Sequence, residues 1–507
     1  TAWMWHAAGK VSVKNLRTVV KLHDLTGFDG RCDAIYFTTE EGRIPPSDMK
    51  QLEAFRRKAL GFPDEAPLAG QYDLVVVGAG IAGMSAAVSA ARLGCKVALI
   101  NDRPVIGGNN SSEIRVHLGG RIEEGVYKEL GGLQKEFGPE KGGNAQPAEN
   151  YEDQKKLDWL ANEKNVTLFL NYRAIGVTKD GNKITSVTAR HIESGKEQKF
   201  EAPLFSDCTG DGTIGYLAGA DFRMGREAKS EFGESIAPEK ADKMTMGASV
   251  QWYSVDNGRS SSFPDFSYGV EFNDKNCEKV LMGEWTWETG MNLDQIKDFE
   301  RIRDYGMLVV YSNWSYLKNQ MKENTQYRNR KLGWVAYVAG KRESRRLMGD
   351  YILKEDDITK NVTHEDASFA TTWSIDLHWQ DPANSAHFPG NEFKAVTKHI
   401  LIHPYPVPYR CLYSRNIDNL FMAGRNISVT HVALGTVRVM RTTGMMGEVV
   451  GMAASLCKKY GVEPRKVYQS YLEELKVLMK EGVNKKGLPN NQRYNEGGIL
   501  KEKPVVK

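Results

Sequence analysis

The chain has 507 residues, 41% hydrophobic and 26% charged, with 68 basic against 64 acidic side chains and a formal net charge of +4. That is enough chain to bury a large core in two or three domains, and the charge is too balanced to argue for nucleic acid, with no basic run of five or more. Six cysteines (Cys32, Cys95, Cys208, Cys277, Cys411, Cys457) lie far apart with no CxxC pair, so zinc-ribbon, iron–sulfur and dithiol redox sites have no support and no metal is expected.

In chain order, residues 11–13, 18–22 and 33–38 read as short strands, with Gly27 and Gly30 between the last two. Three such strands cannot close a sandwich alone. Their ending, Asp33-Ala34-Ile35-Tyr36-Phe37-Thr38, resembles the last strands of a galactose-binding-type β-sandwich, as in carbohydrate-binding modules. The alternative is that they pad the following domain. The opening Thr1-Ala2-Trp3 lacks an initiator Met and reads as a mature or trimmed product, and a sugar-module remnant points toward export to a bacterial envelope.

A polar helix is expected over Met49–Leu60, capped by Ser47 or Asp48, and then a Pro/Gly-rich linker over residues 61–70. The most apolar stretch, residues 74–93, contains Gly78, Gly80 and Gly83 and reads as strand, turn and helix, so no membrane span is expected. A helix ends near residues 157–164. A run of β-structure follows at 166–170, 174–179, 183–190 and 197–202, with Asp180-Gly181 and Ser194-Gly195 at turns. Residues 240–410 are rich in Trp, Tyr and His. From residue 423 a strand ends in Ala-Gly and leads to a long Gly/Ala/Met-rich helix, and one further amphipathic helix is expected over 464–480.

The decisive signal is Tyr72-Asp73-Leu74-Val75-Val76-Val77-Gly78-Ala79-Gly80-Ile81-Ala82-Gly83. Gly78 permits the tight turn, Gly80 admits a pyrophosphate against backbone, and Gly83 lets helix pack on strand. A GxGxxG alone is weak, but here a buried strand precedes it, a small-residue helix follows, and residues 96–100 supply the second strand. That strand ends at Asn101, where an acidic residue is usual. An amide can still bond ribose hydroxyls, without the charge assistance of a carboxylate.

Three more segments extend the pattern: Arg103-Pro104-Val105-Ile106-Gly107-Gly108-Asn109-Asn110-Ser111-Ser112-Glu113, Phe205-Ser206-Asp207-Cys208-Thr209-Gly210-Asp211-Gly212, and Asn419-Leu420-Phe421-Met422-Ala423-Gly424-Arg425-Asn426. With Gly340-Lys341-Arg342-Glu343-Ser344-Arg345-Arg346 and residues 428–440, they resemble FAD-dependent oxidoreductases with a glutathione-reductase-type Rossmann domain. The likeness is to a bacterial group distantly related to succinate dehydrogenase and fumarate reductase flavoproteins. It implies an α/β fold in which a Rossmann-type FAD domain, parallel sheet plus β-meander, carries an inserted α+β substrate domain behind a partial β-sandwich-like N-terminal segment. The expected boundaries are 1–45 (sandwich remnant), 46–70 (linker), 71–235 and 411–457 (FAD domain), 236–410 (substrate or cap domain) and 458–507 (helix and tail).

By the same resemblance FAD is the cofactor. Asn101 and Arg103 border the adenosine, and Gly107, Gly108 and Ser112 lie near diphosphate or flavin. Thr209, Gly210 and Asp211 close the adenine side, and Gly424 and Arg425 meet the ribityl and diphosphate. Many relatives carry an acidic residue where Arg425 stands. A helix beginning near Gly435 or Thr436 is expected to point its N-terminus at the flavin pyrimidine edge, stabilising the reduced anion, with Arg438 and Arg441 either assisting or forming structural ion pairs.

Hydride transfer also needs an acid or base at the substrate. His431, on the loop before that helix, is the first candidate, and a hydrogen-bonded structural role the alternative. His403, in a Pro/Tyr-rich strip, could line a pocket or merely stiffen the crossing. Asp376 and His378 are two apart and would share a strand face, as an acid–base pair or a structural one. Arg342, Arg345 and Arg346 have the spacing of one helical face, for an anionic substrate or a salt-bridged stripe. Trp252, Trp285, Trp287 and Trp314 suit sugar stacking or core, and His117 is the one tempting position for covalent flavin attachment.

The resulting expectation is an FAD-dependent oxidoreductase acting on a small polar molecule, a carbohydrate or glycoside by analogy with the N-terminal segment. The alternatives are a non-redox flavoenzyme (hydratase or isomerase) and a sugar-binding protein with a scaffold FAD domain. Apart from residues 78–83 and 210–215, both within segments already assigned to FAD, no GxGxxG occurs, and no CxxxxC pair does, which leaves the electron acceptor open and disfavours a dedicated pyridine-nucleotide domain.

Overall fold

A computed structural model of the chain describes residues 4–23 and 32–490. The chain divides into two compact units, Thr1–Pro67 and Leu68–Lys507.

In the first unit the helix Met49–Leu60 forms at its expected bounds. Asp48 rather than Ser47 caps it, accepting the Gln51 backbone N–H at 3.1 Å, and Gly61 ends it with φ 65°. The strands expected at 11–13, 18–22 and 33–38 do not form, for no described residue before Asp48 is in a strand. Gly27 and Gly30 lie outside the described residues. A strand needs a neighbour to take its N–H and C=O groups, and the described part of this unit offers none. Its apolar side chains stay exposed, Val11 by 69% and Phe37 by 58%. Tyr36 gathers a small cluster, edge-on to Trp5 and Phe55.

The second unit is built on a five-stranded parallel sheet in the order Leu420–Met422, Leu204–Asp207, Leu74–Val77, Val97–Ile100, Val166–Phe169. The first four strands are buried at every residue, as continuous apolar runs covered on both faces should be. The helix Ile81–Arg92 packs on this sheet and against Met440–Tyr460. Small residues set that spacing: a Cβ on Gly447 would stand 2.1 Å from the Ala82 carbonyl oxygen.

A second sheet, the expected β-meander, has the order Leu68–Gln71, Glu197–Glu201, Lys183–His191, Tyr172–Asp180. Its membership differs from the expectation at one strand. Val166–Phe169 joins the parallel sheet beside Val97–Ile100, and Leu68–Gln71, inside the expected linker, takes the free edge of the meander. Pro67 and Gly70 disguise that strand in the sequence, yet both are tolerated at an edge.

Between residues 236 and 410 the architecture is α+β. Trp252–Asp256 pairs with Met282–Gly283 and Arg330–Val335, and the long helix Phe299–Asn319 packs beside them. Their core contains Trp252, Trp287, Trp314 and Tyr327, so three of the four tryptophans are core. Two strand pairs, Ile375–Gln380 with Ala395–Ile400 and Ala367–Thr371 with Tyr405–Pro408, lead back to the parallel sheet. The C-terminal helix expected over 464–480 is two helices, Pro464–Ser470 and Leu472–Glu481, separated at Tyr471. Among the described residues no helix is long and apolar enough to cross a membrane.

Candidate active site

One cavity of about 920 Å³ runs from the C-terminal ends of the parallel strands into the inserted region. Its two halves are built differently.

The first half is mostly backbone. The strand Leu74–Val77 ends at Gly78, which turns with φ 100° and would place a Cβ 2.4 Å from the Cys208 carbonyl oxygen. Gly80 caps the helix Ile81–Arg92 with no side chain on its free N–H groups. Gly83 does not line the cavity; its missing Cβ would fall 1.8 Å from the Gly78 carbonyl oxygen, so it seats helix on strand. From the other side Gly107 bridges to Gly80, and a Cβ on Gly108 would lie 3.2 Å from the Gly80 Cα. Two glycine turns thus face each other across a helix N-terminus, the geometry that admits a diphosphate.

Side chains around this cradle mostly hold one another. Asn101 accepts the Ala79 N–H at 3.1 Å and donates to the carbonyls of Arg103 and Val105, both at 2.9 Å. Its amide therefore fixes the loop, and what it presents to the cavity is mainly its position. Arg103 pairs with Glu113, which also accepts from the Tyr337 hydroxyl at 2.7 Å. Asp211 takes Lys341 at 2.5 Å, Arg425 at 2.9 Å and the Ser344 hydroxyl at 2.8 Å. Burial pushes the Asp211 carboxyl up, but the charges of Lys341 and Arg425 outweigh it and hold it well below the usual carboxylate range. The Arg425 Nε is buried without a protein partner.

The second half is built from charged side chains on separate elements. Asp376 and His378 sit on one face of the strand Ile375–Gln380, as their spacing predicted, and both line the cavity. The His378 Nδ1 meets the buried Glu288 carboxylate, and its Nε2 lies 3.1 Å from Asp376 Oδ1. Arg438 bonds Asp376 Oδ2 at 2.9 Å and stands 3.4 Å from His378 Nε2. Arg342 pairs with Glu288 at 3.2 Å while its guanidinium lies 4.4 Å from the Trp285 ring centroid. Burial alone would raise Glu288, but the charges of Arg342 and His378 prevail and lower it, so it stays ionised behind the imidazole. Trp285, Trp373 and His117 complete the wall, and burial lowers the His117 pKa, leaving a neutral ring.

Of the residues named from sequence, Gly78, Gly80, Asn101, Arg103, Gly107, Gly108, Thr209, Gly210, Asp211, Gly424, Arg425, His378 and Arg438 meet in this one cavity. Besides Gly83, five others stand outside its lining. Ser112 turns its N–H to Asp153. His431 begins the helix His431–Val437 inside a buried network: its N–H donates to Glu227 at 2.9 Å and its Nδ1 lies 3.0 Å from Glu343, which also holds Arg346. His403 lies on the coil before Tyr405–Pro408. Gly435 packs on the Asp376 backbone, and Thr436 bonds Thr371.

The helix whose first turn reaches the cavity is therefore Met440–Tyr460, not one starting at Gly435 or Thr436. The chain breaks between the two helices at Val439, which is extended (ψ 147°), and that break aims Arg438 at Asp376. Arg441 is buried behind, its N–H donating to the Gly119 carbonyl. The three arginines expected on one helical face are on no helix; Arg342 goes to the cavity, Arg345 over Tyr216, and Arg346 to Glu227 and Glu343. Glu288 was not visible in the sequence, since nothing local distinguishes it from other acidic residues nearby.

The fold and this glycine cradle define an FAD-binding Rossmann-type flavoprotein. The sequence profile of the FAD dependent oxidoreductase family matches residues 73–478, and the chain belongs to that family. Among curated proteins none matches. Solved structures that are similar include a glycerol-3-phosphate dehydrogenase from Bacillus halodurans complexed with FAD (16% identity, 41% of this chain and 44% of that one, TM-score 0.26). A flavocytochrome c3 fumarate reductase is similar over 80% of this chain and 81% of that one (13%, TM-score 0.32). A 3-ketosteroid-delta4-(5alpha)-dehydrogenase from Rhodococcus jostii RHA1 is similar over 77% and 98% (11%, TM-score 0.33). The first of these is spanned over less than half its length, and none of the likenesses carries an argument about substrate. The residues present fit FAD: two facing glycine turns, an uncapped helix N-terminus and the buried Arg425 Nε all await an anionic ligand.

Proposed function

We propose that this oxidoreductase transfers hydride between FAD and a small polyhydroxylated molecule, a carbohydrate or glycoside, with His378 handling the proton. FAD, when bound, supplies the hydride acceptor or donor. The observation that carries the reading is the side-chain cluster of the second half. Arg342, Arg438 and Asp376 line the wall, and Glu288 behind it pairs with Arg342, so donors and an acceptor stand side by side with little net charge. That suits hydroxyl groups, which both donate and accept, better than a strongly charged group. Trp285 and Trp373 add indole surface, and the buried Trp373 Nε1 has no protein partner.

His378 is the group placed to move a proton. Glu288 holds its Nδ1 from behind and fixes the ring, while the Nε2 edge lies among Asp376, Arg438 and the cavity. A carboxylate on one imidazole nitrogen orients the ring, whether the proton arrives from an alcohol or leaves for a reduced product. The His378 ring and then the Arg438 guanidinium, beside Asp376, hold that carboxylate ionised against its burial.

The test is an anaerobic visible spectrum of the FAD-loaded protein before and after a panel of sugars and glycosides. Bleaching of the oxidised-flavin band by a member of the panel is the expected result. A band that no sugar or glycoside bleaches, and that simple unsaturated acids reoxidise after reduction, overturns the substrate class.

A further inference from the structure

We propose that Asp376 and His399 form the route by which protons pass between His378, inside the cavity, and solvent. The inference rests on the reading of His378 as the group that handles the substrate proton. In oxidation of an alcohol, FAD when bound would take the C–H pair as hydride, the O–H proton would pass to His378, and the C=O bond would form. One proton is then left on a buried ring and must leave before the next turnover; reduction runs the same path inward.

The strand register builds the route. Asp376 and His378 share a face of Ile375–Gln380, and Asp376 lies directly opposite His399 in the antiparallel partner Ala395–Ile400. His378 Nε2 is 3.1 Å from Asp376 Oδ1, and the same oxygen is 3.5 Å from His399 Nε2, so a buried acceptor with no aligned hydrogen-bond partner lies between the two rings. Side-chain exposure rises along the series from 10% at His378 through 12% at Asp376 to 44% at His399. His399 does not line the cavity, so its exposed face opens elsewhere on the surface.

The other end of the His378 ring is closed. Glu288 is buried, pairs with Arg342 and does not line the cavity. Asp376 passes the proton without keeping it. Burial alone would raise its pKa, but the nearby His378 ring and the Arg438 charge outweigh that and hold it well below the usual range. The far ring nitrogen of His399, Nδ1, is 3.2 Å from the Ser374 hydroxyl, which turns the Nε2 edge toward Asp376.

The test reads proton exchange itself and needs no substrate. In FAD-loaded protein labelled with 15N-histidine, the exchange of the His378 ring N–H with water is measured by saturation transfer, the signal being assigned by its loss in His378→Gln. His399→Gln is expected to slow this exchange roughly tenfold or more, and free imidazole is expected to restore it in His399→Ala. Unchanged exchange in His399→Gln overturns the route. So does slowed exchange that imidazole cannot restore, since that marks a structural effect of the substitution. Failure of the redox reading would show instead as a flavin that no donor bleaches, with the exchange result standing by itself.

Discussion

The two halves of the cavity are made of different materials. The cofactor half is shaped by backbone, glycine against glycine, and the atoms that matter are those its residues lack. The other half is shaped by side chains from four places, Trp285 and Glu288, Arg342, Trp373 to His378, and Arg438, brought together only by the finished fold. A substitution in the first half should therefore act on FAD binding and folding, and one in the second on turnover with the flavin still held.

The largest effect expected from that contrast is at Gly83. Valine there puts a Cβ 1.8 Å from the Gly78 carbonyl oxygen and must push helix from strand. Gly83→Val is expected to weaken FAD binding by about a hundredfold or to prevent folding, read by flavin-fluorescence titration and circular dichroism. Normal FAD affinity in that variant would break the distinction between the halves. Next is Arg438→Met, which leaves Asp376 without its guanidinium. Turnover is expected to fall about a hundredfold while FAD affinity changes less than about threefold. A parallel loss of FAD would place Arg438 in the cofactor half instead.

A smaller effect sharpens the boundary at His431. Its ring belongs to the Glu343–Arg346–Glu227 network outside the cavity lining, so His431→Gln is expected to lower the melting temperature by a few degrees and leave turnover within about threefold. A loss of turnover like that of a catalytic group would return His431 to the reaction.

The smallest effect expected is one of pH. Burial pushes the Glu234 carboxyl up to about 7, with nearby Glu227 and Glu355 adding to it against the Thr430 hydrogen bond. The folded protein thus holds a proton on Glu234 that the unfolded chain releases at lower pH. The stability this supplies is fully present below the ordinary carboxylate range and lost as pH rises through 7. Glu234→Gln should flatten that decline, gaining about 1–2 kcal/mol at pH 8 and little at pH 5, read from melting curves at both. Burial likewise raises Glu448 to about 8, so some decline should persist in the variant.

The same contrast explains what could be read before the fold was known. Glycine spacing is local, so Gly78, Gly80, Gly107, Gly108, Gly210 and Gly424 could be assigned to one cofactor site from short segments, and all line the cavity. The strands Leu74–Val77 and Val97–Ile100 were legible because continuous apolar runs are what buried parallel strands require. Asp376 and His378 were legible as a pair because a strand repeats every second residue.

What failed depended on tertiary context. Val439 carries no glycine or proline to announce a helix break, yet the break there moves the helix start to Met440 and sets the aim of Arg438. Arg342, Arg345 and Arg346 have helical spacing on a segment that is not helical, and each finds a separate partner. His431 drew attention by its place in the chain, but Glu227 and Glu343, remote in sequence, close over it. Glu288 and His399 meet partners remote in sequence, and one sequence holds no record of such pairings.

The central claim is that His378 serves the reaction and not the cofactor. It is tested most directly by following the flavin band anaerobically after mixing a bleaching sugar or glycoside with the wild-type and His378→Gln proteins, both saturated with FAD. The account predicts equal FAD content and a bleaching rate about a hundredfold to ten-thousandfold lower in the variant. Equal rates in the two proteins, or loss of FAD from the variant, would contradict it.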